Sequence, residues 1–301
     1  MLERCLSQRE LIRGSGVQLR KGLGQHFLVD RQVVREIIRL AGIRPDDIVL
    51  EVGSGLGNLT FLLARKAQKV VALERDERLY RLLRDRLAFH PNVELIQADA
   101  LFFDYSSLGA GWKIVSNLPY SISIPLLFKF LQCRERVTEM VLMFQKEVAD
   151  RLVSPPGRKS YGPLSLAIQL YCRVNKCLRV PPSAFRPKPK VESSVVQFRF
   201  LERPKAQLVD EELFFQIVRA AFTHRRKTLR NNLCGIKRSL GGQAPGFWED
   251  ACCRVGIDPS RRGETLSLEE FAALSNQMAS LVSFEQNGGS EMIPRTQVSP
   301  G

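Results

Sequence analysis

The sequence is poor in the residues that build metal sites and disulfide scaffolds. Its 301 residues include three histidines and seven cysteines, with no CxxC pair and no HExxH run. Cys252 and Cys253 are adjacent, and Cys172 and Cys177 are too loosely spaced for a zinc knuckle. No metal site is expected, and the cysteines read as reduced, mostly buried thiols. No apolar run is long enough to span a bilayer. Residues Met1–Leu19 lack the apolar stretch of a secretory signal, and Glu3 and Glu10 argue against an organelle transit peptide. A cytoplasmic protein without a membrane partner is therefore expected. Acid is also scarce: 31 Asp and Glu stand against 45 Lys and Arg, a formal net charge of +14. Such an excess points to a polyanionic partner, and nucleic acid is a commoner one than an acidic membrane.

What is present is an ordinary share of hydrophobic residues for a folded protein, 44%. From Asp30, Val33, Val34, Ile37, Ile38 and Ala41 follow helical spacing until Arg44-Pro45-Asp46-Asp47 interrupts it. Short apolar runs come next, at Ile48–Val52, Lys69–Leu73, Val93–Ile96, Lys113–Ser116 and Val137–Phe144. Amphipathic stretches such as Leu59–Ala67 and Glu77–Phe89 separate them. This alternation predicts βαβ units and a parallel sheet covered on both faces. Ser154-Pro155-Pro156-Gly157 reads as a loop, Leu164–Tyr171 as a helix and Val191–Phe200 as a late strand. Past a linker at Glu202-Arg203-Pro204-Lys205 the pattern is all-helical. Asp210 is the expected N-cap of a long helix reaching about Leu233, and Ser267 with Glu270 forms a capping box for a last helix at Leu268–Leu281. The fold expected is α/β, with a small C-terminal helical domain. Residues 1–20 form an N-terminal extension, 21–203 the main domain, 204–284 the helical domain and 285–301 a disordered tail.

Three features fall at successive strand ends. Glu51-Val-Gly53-Ser-Gly55-Leu-Gly57 follows one strand and opens a helix. Glycines let the backbone turn sharply and lie against a ligand. The spacing is GxGxG rather than GxGxxG, and Glu51 would repel a pyrophosphate while tolerating a cationic amino-acid group or a sulfonium. Glu74 ends the next strand, where a carboxylate accepts both hydroxyls of a ribose. Asp99 ends the third, placed to accept from an adenine amino group. A tight turn and two solvated acids would explain each feature singly. Together they favour a nucleoside site, because ligands of open α/β sheets bind at the carboxyl ends of strands.

After the fourth strand comes Ser116-Asn117-Leu118-Pro119-Tyr120. A proline-containing loop is common, but its chemistry suits the exocyclic amine of adenine, a poor nucleophile whose lone pair is delocalised into the ring. The Asn117 side-chain carbonyl and a backbone carbonyl of Leu118 or Pro119 would each accept one N6–H. That orients the nitrogen and aims its lone pair at a methyl donor. Pro119 stiffens the loop and Tyr120 supplies a stacking face. Catalysis would be positioning plus preorganised dipoles.

The loop Asn117-Leu-Pro-Tyr120-Ser-Ile-Ser-Ile-Pro125 resembles that of the KsgA family of small-subunit rRNA adenine N6-dimethyltransferases. Lys21-Gly-Leu-Gly-Gln-His-Phe-Leu28 is similar to the family's N-terminal segment, which helps enclose the cofactor. Phe185-Arg-Pro-Lys-Pro-Lys-Val-Glu-Ser193 is similar to its aromatic and proline segment facing the target base. Phe222–Leu233 and Gly256-Ile-Asp-Pro resemble its helical domain. The resemblance implies a Rossmann-like methyltransferase sheet and S-adenosyl-L-methionine as cofactor. It implies cofactor contacts at His26, Leu28, Gly53, Gly55, Glu74, Asp99 and Asn117. Where this chain has His26 the family often has Asn, so a backbone contact is the safer inference there. The expected activity is dimethylation of two adjacent adenosines near the 3′ end of small-subunit rRNA, by a monomer acting on the assembling subunit.

Phe185, held by Pro187 and Pro189, is expected to stack on a flipped adenine opposite Tyr120; the alternative is a core phenylalanine. Arg219, Arg226 and Arg230 are expected to share one helix face and meet RNA phosphates, the alternative being a solvated basic face. Two other functions compete: an Erm-type enzyme acting on large-subunit rRNA, and a non-catalytic RNA-binding factor on the same fold. Leu118 and the Phe222–Leu233 match argue against the first, and the set Asn117, Tyr120, Glu74 and Asp99 against the second.

Overall fold

A computed structural model of the chain describes residues 26–234 and 247–287. The expected N-terminal extension, Lys21–Gln25 and the tail past residue 287 lie outside the described residues. The chain divides into two compact units: one holds residues up to Val153 together with Tyr171–Arg203, the other Ser154–Leu170 and the residues from Pro204.

The first unit opens with β1 (Phe27–Leu28) and α1 (Arg31–Ala41). Asp30 caps α1 by accepting from the backbone N–H groups of Gln32 and Val33, and Gly42 closes it in the left-handed conformation. Then β2 (Ile48–Val52), α2 (Thr60–Ala64), β3 (Lys69–Glu74), α3 (Glu77–Arg86), β4 (Val93–Gln97) and β5 (Trp112–Ser116) alternate as the apolar runs predict. They are followed by α4 (Ser123–Gln132), β6 (Val137–Gln145) and α5 (Lys146–Leu152). After α6 (Pro163–Tyr171) the sheet is completed by β7 (Cys172–Val180) and β9 (Ser193–Phe200), while β8 (Phe185–Arg186) pairs only with β1.

The seven strands are ordered β4-β3-β2-β5-β6-β9-β7. The run from β4 to β6 is parallel, and β9 lies antiparallel between β6 and β7. The central strands are almost wholly apolar, as strands covered on both faces must be. Val49, Val70, Ala72, Val115 and Val141 join Ile37, Ile38 and Leu63 in one buried cluster. From β2 the chain moves outward through β3 and β4, then returns to the other side of β2 for β5 and β6. The loops after β2 and β5 therefore diverge, leaving a crevice at the carboxyl ends of the strands.

The second unit is helical. It contains α7 (Glu211–Ala221), α8 (Leu229–Leu233), α9 (Phe247–Arg254) and α10 (Leu268–Asn287). The expected caps form: Asp210 accepts from Leu213 N–H at 2.9 Å. Ser267 and Glu270 exchange hydrogen bonds of 2.7 and 3.1 Å. α10 runs past the start assigned to the tail. The boundary near Arg203 coincides with the linker, but Ser154–Leu170 group with the helical unit. Tyr161 packs on Phe222, its carbonyl accepts from Arg225, and Gly157 N–H donates to Glu264 O.

The single long helix expected from Asp210 to Leu233 is two helices. Phe222 closes α7, a turn follows, and Thr228 caps α8 by accepting from Asn231 N–H. Helical spacing of apolar residues persisted across a break that a Thr N-cap had set. Among the described residues no helix is long and apolar enough to cross a membrane.

Candidate active site

A cleft of about 210 Å³ lies within the first unit, where the loops after β2, β3, β4 and β5 converge. Val52, Gly53 and Gly55 line it from the first loop, Glu74, Arg75 and Asp76 from the second, Ala98 and Asp99 from the third, and Asn117–Ile122 from the fourth. His26 and Phe27 close it from the N-terminal side.

The glycine loop must be glycine. Gly53 has φ +75°, and a Cβ there would stand 3.4 Å from Pro119 Cδ, so this residue is where the first and fourth loops meet. Gly57 has φ +83°, and its Cβ would lie 2.6 Å from Leu83 and 2.7 Å from Phe61. Both conformations disfavour any side chain.

Glu74 is 6% exposed, and each of its oxygens accepts a backbone N–H at 2.8 Å, one from Gly55 and one from Asp76. Burial pushes its pKa up, while these hydrogen bonds pull the other way. An ionised carboxylate has about four acceptor positions, so acceptor capacity remains for a hydroxyl donor in the cleft. Asp99 accepts from Leu101 N–H at 2.9 Å and pairs with Arg75 at 3.2 Å.

Asn117 donates from Nδ2 to the carbonyl of His26 at 3.2 Å. A carbonyl can only accept, so the amide nitrogen is fixed toward His26 and Oδ1 is left as the group offered to a donor. Tyr120 hydrogen-bonds Ser193 Oγ through its hydroxyl, and burial raises its pKa. Its ring lies 5.6 Å, centroid to centroid, from that of His26. His26 Nδ1 is 2.8 Å from Pro187 O, which places the proton on Nδ1 and leaves Nε2 as an acceptor in the neutral ring. The arrangement can accept from a hydroxyl and a primary amine while presenting an aromatic face.

Several expected residues lie elsewhere. Phe185 is 0% exposed and belongs to the apolar core with Leu28, Ala184 and Val195, so in this structure it is the core phenylalanine and not a stacking face. Its partner strand is β1, in the register Leu28 to Phe185, and that pairing buries both. Leu28 likewise does not line the cleft, and its carbonyl accepts from Asn58 at 2.6 Å; its neighbour Phe27 faces the cleft instead. Glu51 is 2% exposed and accepts from Thr60 Oγ1 at 2.6 Å. Burial pushes its pKa up to about 8, so it is mostly uncharged at neutral pH and is no counter-charge for a cation.

Sequence reasoning missed Phe27, Arg75 and Asp76. Asp76 had a local signal, a polar residue before Glu77 that caps α3 by accepting from Arg78 N–H. Arg75 had none, because its ion pair with Asp99 joins two strand ends. Among the described residues, no cluster of His, Cys, Asp or Glu is placed to hold a metal.

In the second unit, Arg219 is exposed on α7, Arg226 is exposed in the turn and Arg230 is exposed on α8. The break between the helices takes them off any common helical face. Arg230 also pairs with Glu249 at 3.0 Å.

The profile of the ribosomal RNA adenine dimethylase family matches residues 16–277. Ribosomal RNA small subunit methyltransferase A of Geobacter metallireducens is 46% identical over 275 residues, covering 90% of this chain and 99% of that protein. Its namesake from Geobacillus thermodenitrificans is 43% identical over 280 residues, 91% of this chain and 95% of that one. Among solved structures, a dimethyladenosine transferase from Plasmodium falciparum superposes with a TM-score of 0.73 at 29% identity, over 87% of this chain and 98% of that chain. The 23S rRNA methyltransferase ErmE superposes with a TM-score of 0.65 at 25% identity, over 84% and 99%. The matched stretch takes in every residue of the cleft and nearly all the described helices beyond it, and on that ground the chain belongs to the ribosomal RNA adenine dimethylase family.

Proposed function

We propose that this enzyme dimethylates the N6 of two adjacent adenosines in a hairpin loop near the 3′ end of small-subunit (16S) rRNA, with a role in small-subunit biogenesis. S-adenosylmethionine supplies an electrophilic methyl group. The cleft suits its nucleoside: Glu74 keeps acceptor capacity for the ribose hydroxyls, and Asp99 lies one strand further out for the adenine amine. Gly53 and Gly55 admit a ligand against the backbone, with His26 and Phe27 beside it.

The observation that carries the reading is the fixed Asn117 amide, whose Oδ1 remains to accept an N6–H of the target base. The Leu118 carbonyl accepts the second hydrogen, Pro119 stiffens the loop against Gly53, and the Tyr120 ring stacks on the base. Holding both hydrogens turns the nitrogen lone pair out of conjugation and toward the methyl donor. Once N6 carries the new methyl its proton is acidic and passes to water, so Asn117 need not act as a strong base. A monomethylated N6 retains one hydrogen for Oδ1, and the same residues serve the second transfer.

Relatives named for the small subunit, at 43% and 46% identity, support that target over the large-subunit one of ErmE at 25%. The exposed Arg219 and Arg226, with a net charge of +14, suit RNA phosphates, and Arg230 contributes once Glu249 releases it. The enzyme works as a cytoplasmic monomer. The test offers it unmethylated small subunits, free small-subunit RNA and large-subunit RNA, and maps modified bases by mass spectrometry. Dimethyladenosine at two neighbouring positions of small-subunit RNA is expected. Modification confined to large-subunit RNA would transfer the reading to an Erm-type enzyme, and none at all, with cofactor bound, to a non-catalytic factor.

A further inference from the structure

The segment between β8 and β9 is fastened beside the cleft at both ends. At one end the carbonyl of Pro187 holds the His26 ring at 2.8 Å, and at the other Ser193 Oγ meets the Tyr120 hydroxyl. Both held residues line the cleft. Midway, Pro189 is buried, which gives the strap a third anchor. Two prolines in so short a span fix φ at their positions and leave little backbone freedom.

This strap, with the last residue of β8 that leads into it, carries three cations and one acid, and their commitments differ. Arg186 donates to the carbonyls of Ser183 and Phe185 at 3.1 and 2.7 Å. Glu192 is paired with Arg179, which holds its carboxyl below the usual range. Lys188 and Lys190 are exposed on either side of buried Pro189, and neither ammonium has a hydrogen-bond or carboxylate partner among the described residues. An exposed lysine is ordinarily just solvated. Here two are presented by a backbone pinned to two rings of the cleft, one of them the Tyr120 ring proposed to stack on the target base, with the neighbouring acid already neutralised.

We propose that Lys188 and Lys190 take the RNA phosphates flanking the target adenosine, so that the strap holds the backbone while Tyr120 and Asn117 hold the base. A base extruded from its stack stays joined to the strand through its two flanking phosphates, so holding them fixes where the base is presented. Compact, fully charged lysine ammoniums suit phosphate oxygens as point charges without reading sequence. The inference rests on the proposed function for the identity of the polyanion, and it concerns binding rather than the chemical step.

The test compares K188Q/K190Q with K188R/K190R, which keeps both charges, and with R65Q/K66Q. Arg65 and Lys66 are exposed just before β3 begins, at the amino end of that strand and so away from the cleft, and their loss removes the same charge. Equilibrium binding to a transcript of the small-subunit 3′-terminal hairpin is measured across a salt series, separately from methyl transfer. Binding therefore tests the strap even if that RNA proves not to be the one modified. For K188Q/K190Q, RNA affinity and KM should worsen about tenfold, and log affinity against log salt should become shallower by roughly 1.4 to 1.8, as for two lost phosphate contacts. S-adenosylmethionine affinity should stay unchanged, K188R/K190R should behave as wild type, and so should R65Q/K66Q. A wild-type slope in K188Q/K190Q overturns the proposal, and so does an equal loss in R65Q/K66Q, which would assign the effect to net charge.

Discussion

Glu74 at the end of β3 accepts the backbone N–H of Gly55 at 2.8 Å, which ties the glycine loop to the neighbouring strand. One side chain thus sets the loop and keeps lone pairs for the ribose hydroxyls we propose it accepts from. Glu74→Gln replaces one acceptor oxygen with an NH2 that must face either Gly55 N–H or Asp76 N–H. That mismatch lowers stability, and in the complex the NH2 cannot accept from a ribose hydroxyl; a hydroxyl buried without its acceptor costs about 1–3 kcal/mol, or roughly five- to hundredfold in binding. Calorimetric titration should show S-adenosylmethionine affinity falling by that factor, with single-turnover transfer at saturating cofactor much less affected. An unchanged dissociation constant would remove Glu74 from the cofactor site.

Glu51 makes stability depend on pH. Its folded pKa of about 8 lies above the usual carboxyl value of 4.5 because burial penalises the charged form. Between those values the folded state holds a proton that the unfolded chain releases, so stability is lost as pH rises, by up to about 1.4 kcal/mol per pH unit. Glu51→Gln keeps an acceptor for Thr60 and removes the titration. Denaturation midpoints at pH 5, 6.5 and 8 should show the variant gaining on wild type as pH increases. Parallel curves would mean that Glu51 does not titrate in this window.

The glycine loop should separate stability from activity. Gly57→Ala drives a methyl into Leu83 and Phe61 at 2.6 and 2.7 Å, as well as adding left-handed strain. It should destabilise by at least about 2 kcal/mol. Gly53→Ala meets Pro119 at 3.4 Å, an ordinary contact, so its stability cost is the strain alone, about 1–2 kcal/mol. Relief of that strain, rather than the contact, should shift the glycine loop where it meets Pro119 and slow transfer. Urea denaturation of both variants checks the order, which would be contradicted if Gly53→Ala were the less stable.

Much of the site was legible because its signals are local. Glu74, Asp99 and Asn117 each end an apolar run, and a strand needs only its own residues to announce where it stops. Asp210 and the Ser267–Glu270 pair were legible for the same reason, since a cap is settled within one turn. Phe185 was not, because its burial depends on pairing with Leu28, far away in sequence. The strand β7 was missed because nothing separates Tyr171 from Cys172 where the helix passes directly into the strand, and mixed polar residues along Cys172–Val180 mask its alternation. Glu51 carried a charge on paper that its buried position suppresses, which no local pattern reports.

If Asn117 orients the adenine amine, single-turnover methyl transfer by Asn117→Ala should fail at the chemical step. The variant loses Oδ1 and the tether to His26 O but leaves Glu74, Asp99 and the glycine loop in place. With wild-type and variant both saturated with S-adenosylmethionine and RNA, transfer should be slowed by about a hundredfold or more, while cofactor affinity changes only a few-fold. Transfer within a few-fold of wild type would contradict that role for Asn117, and the chemistry would then belong to another group in the cleft.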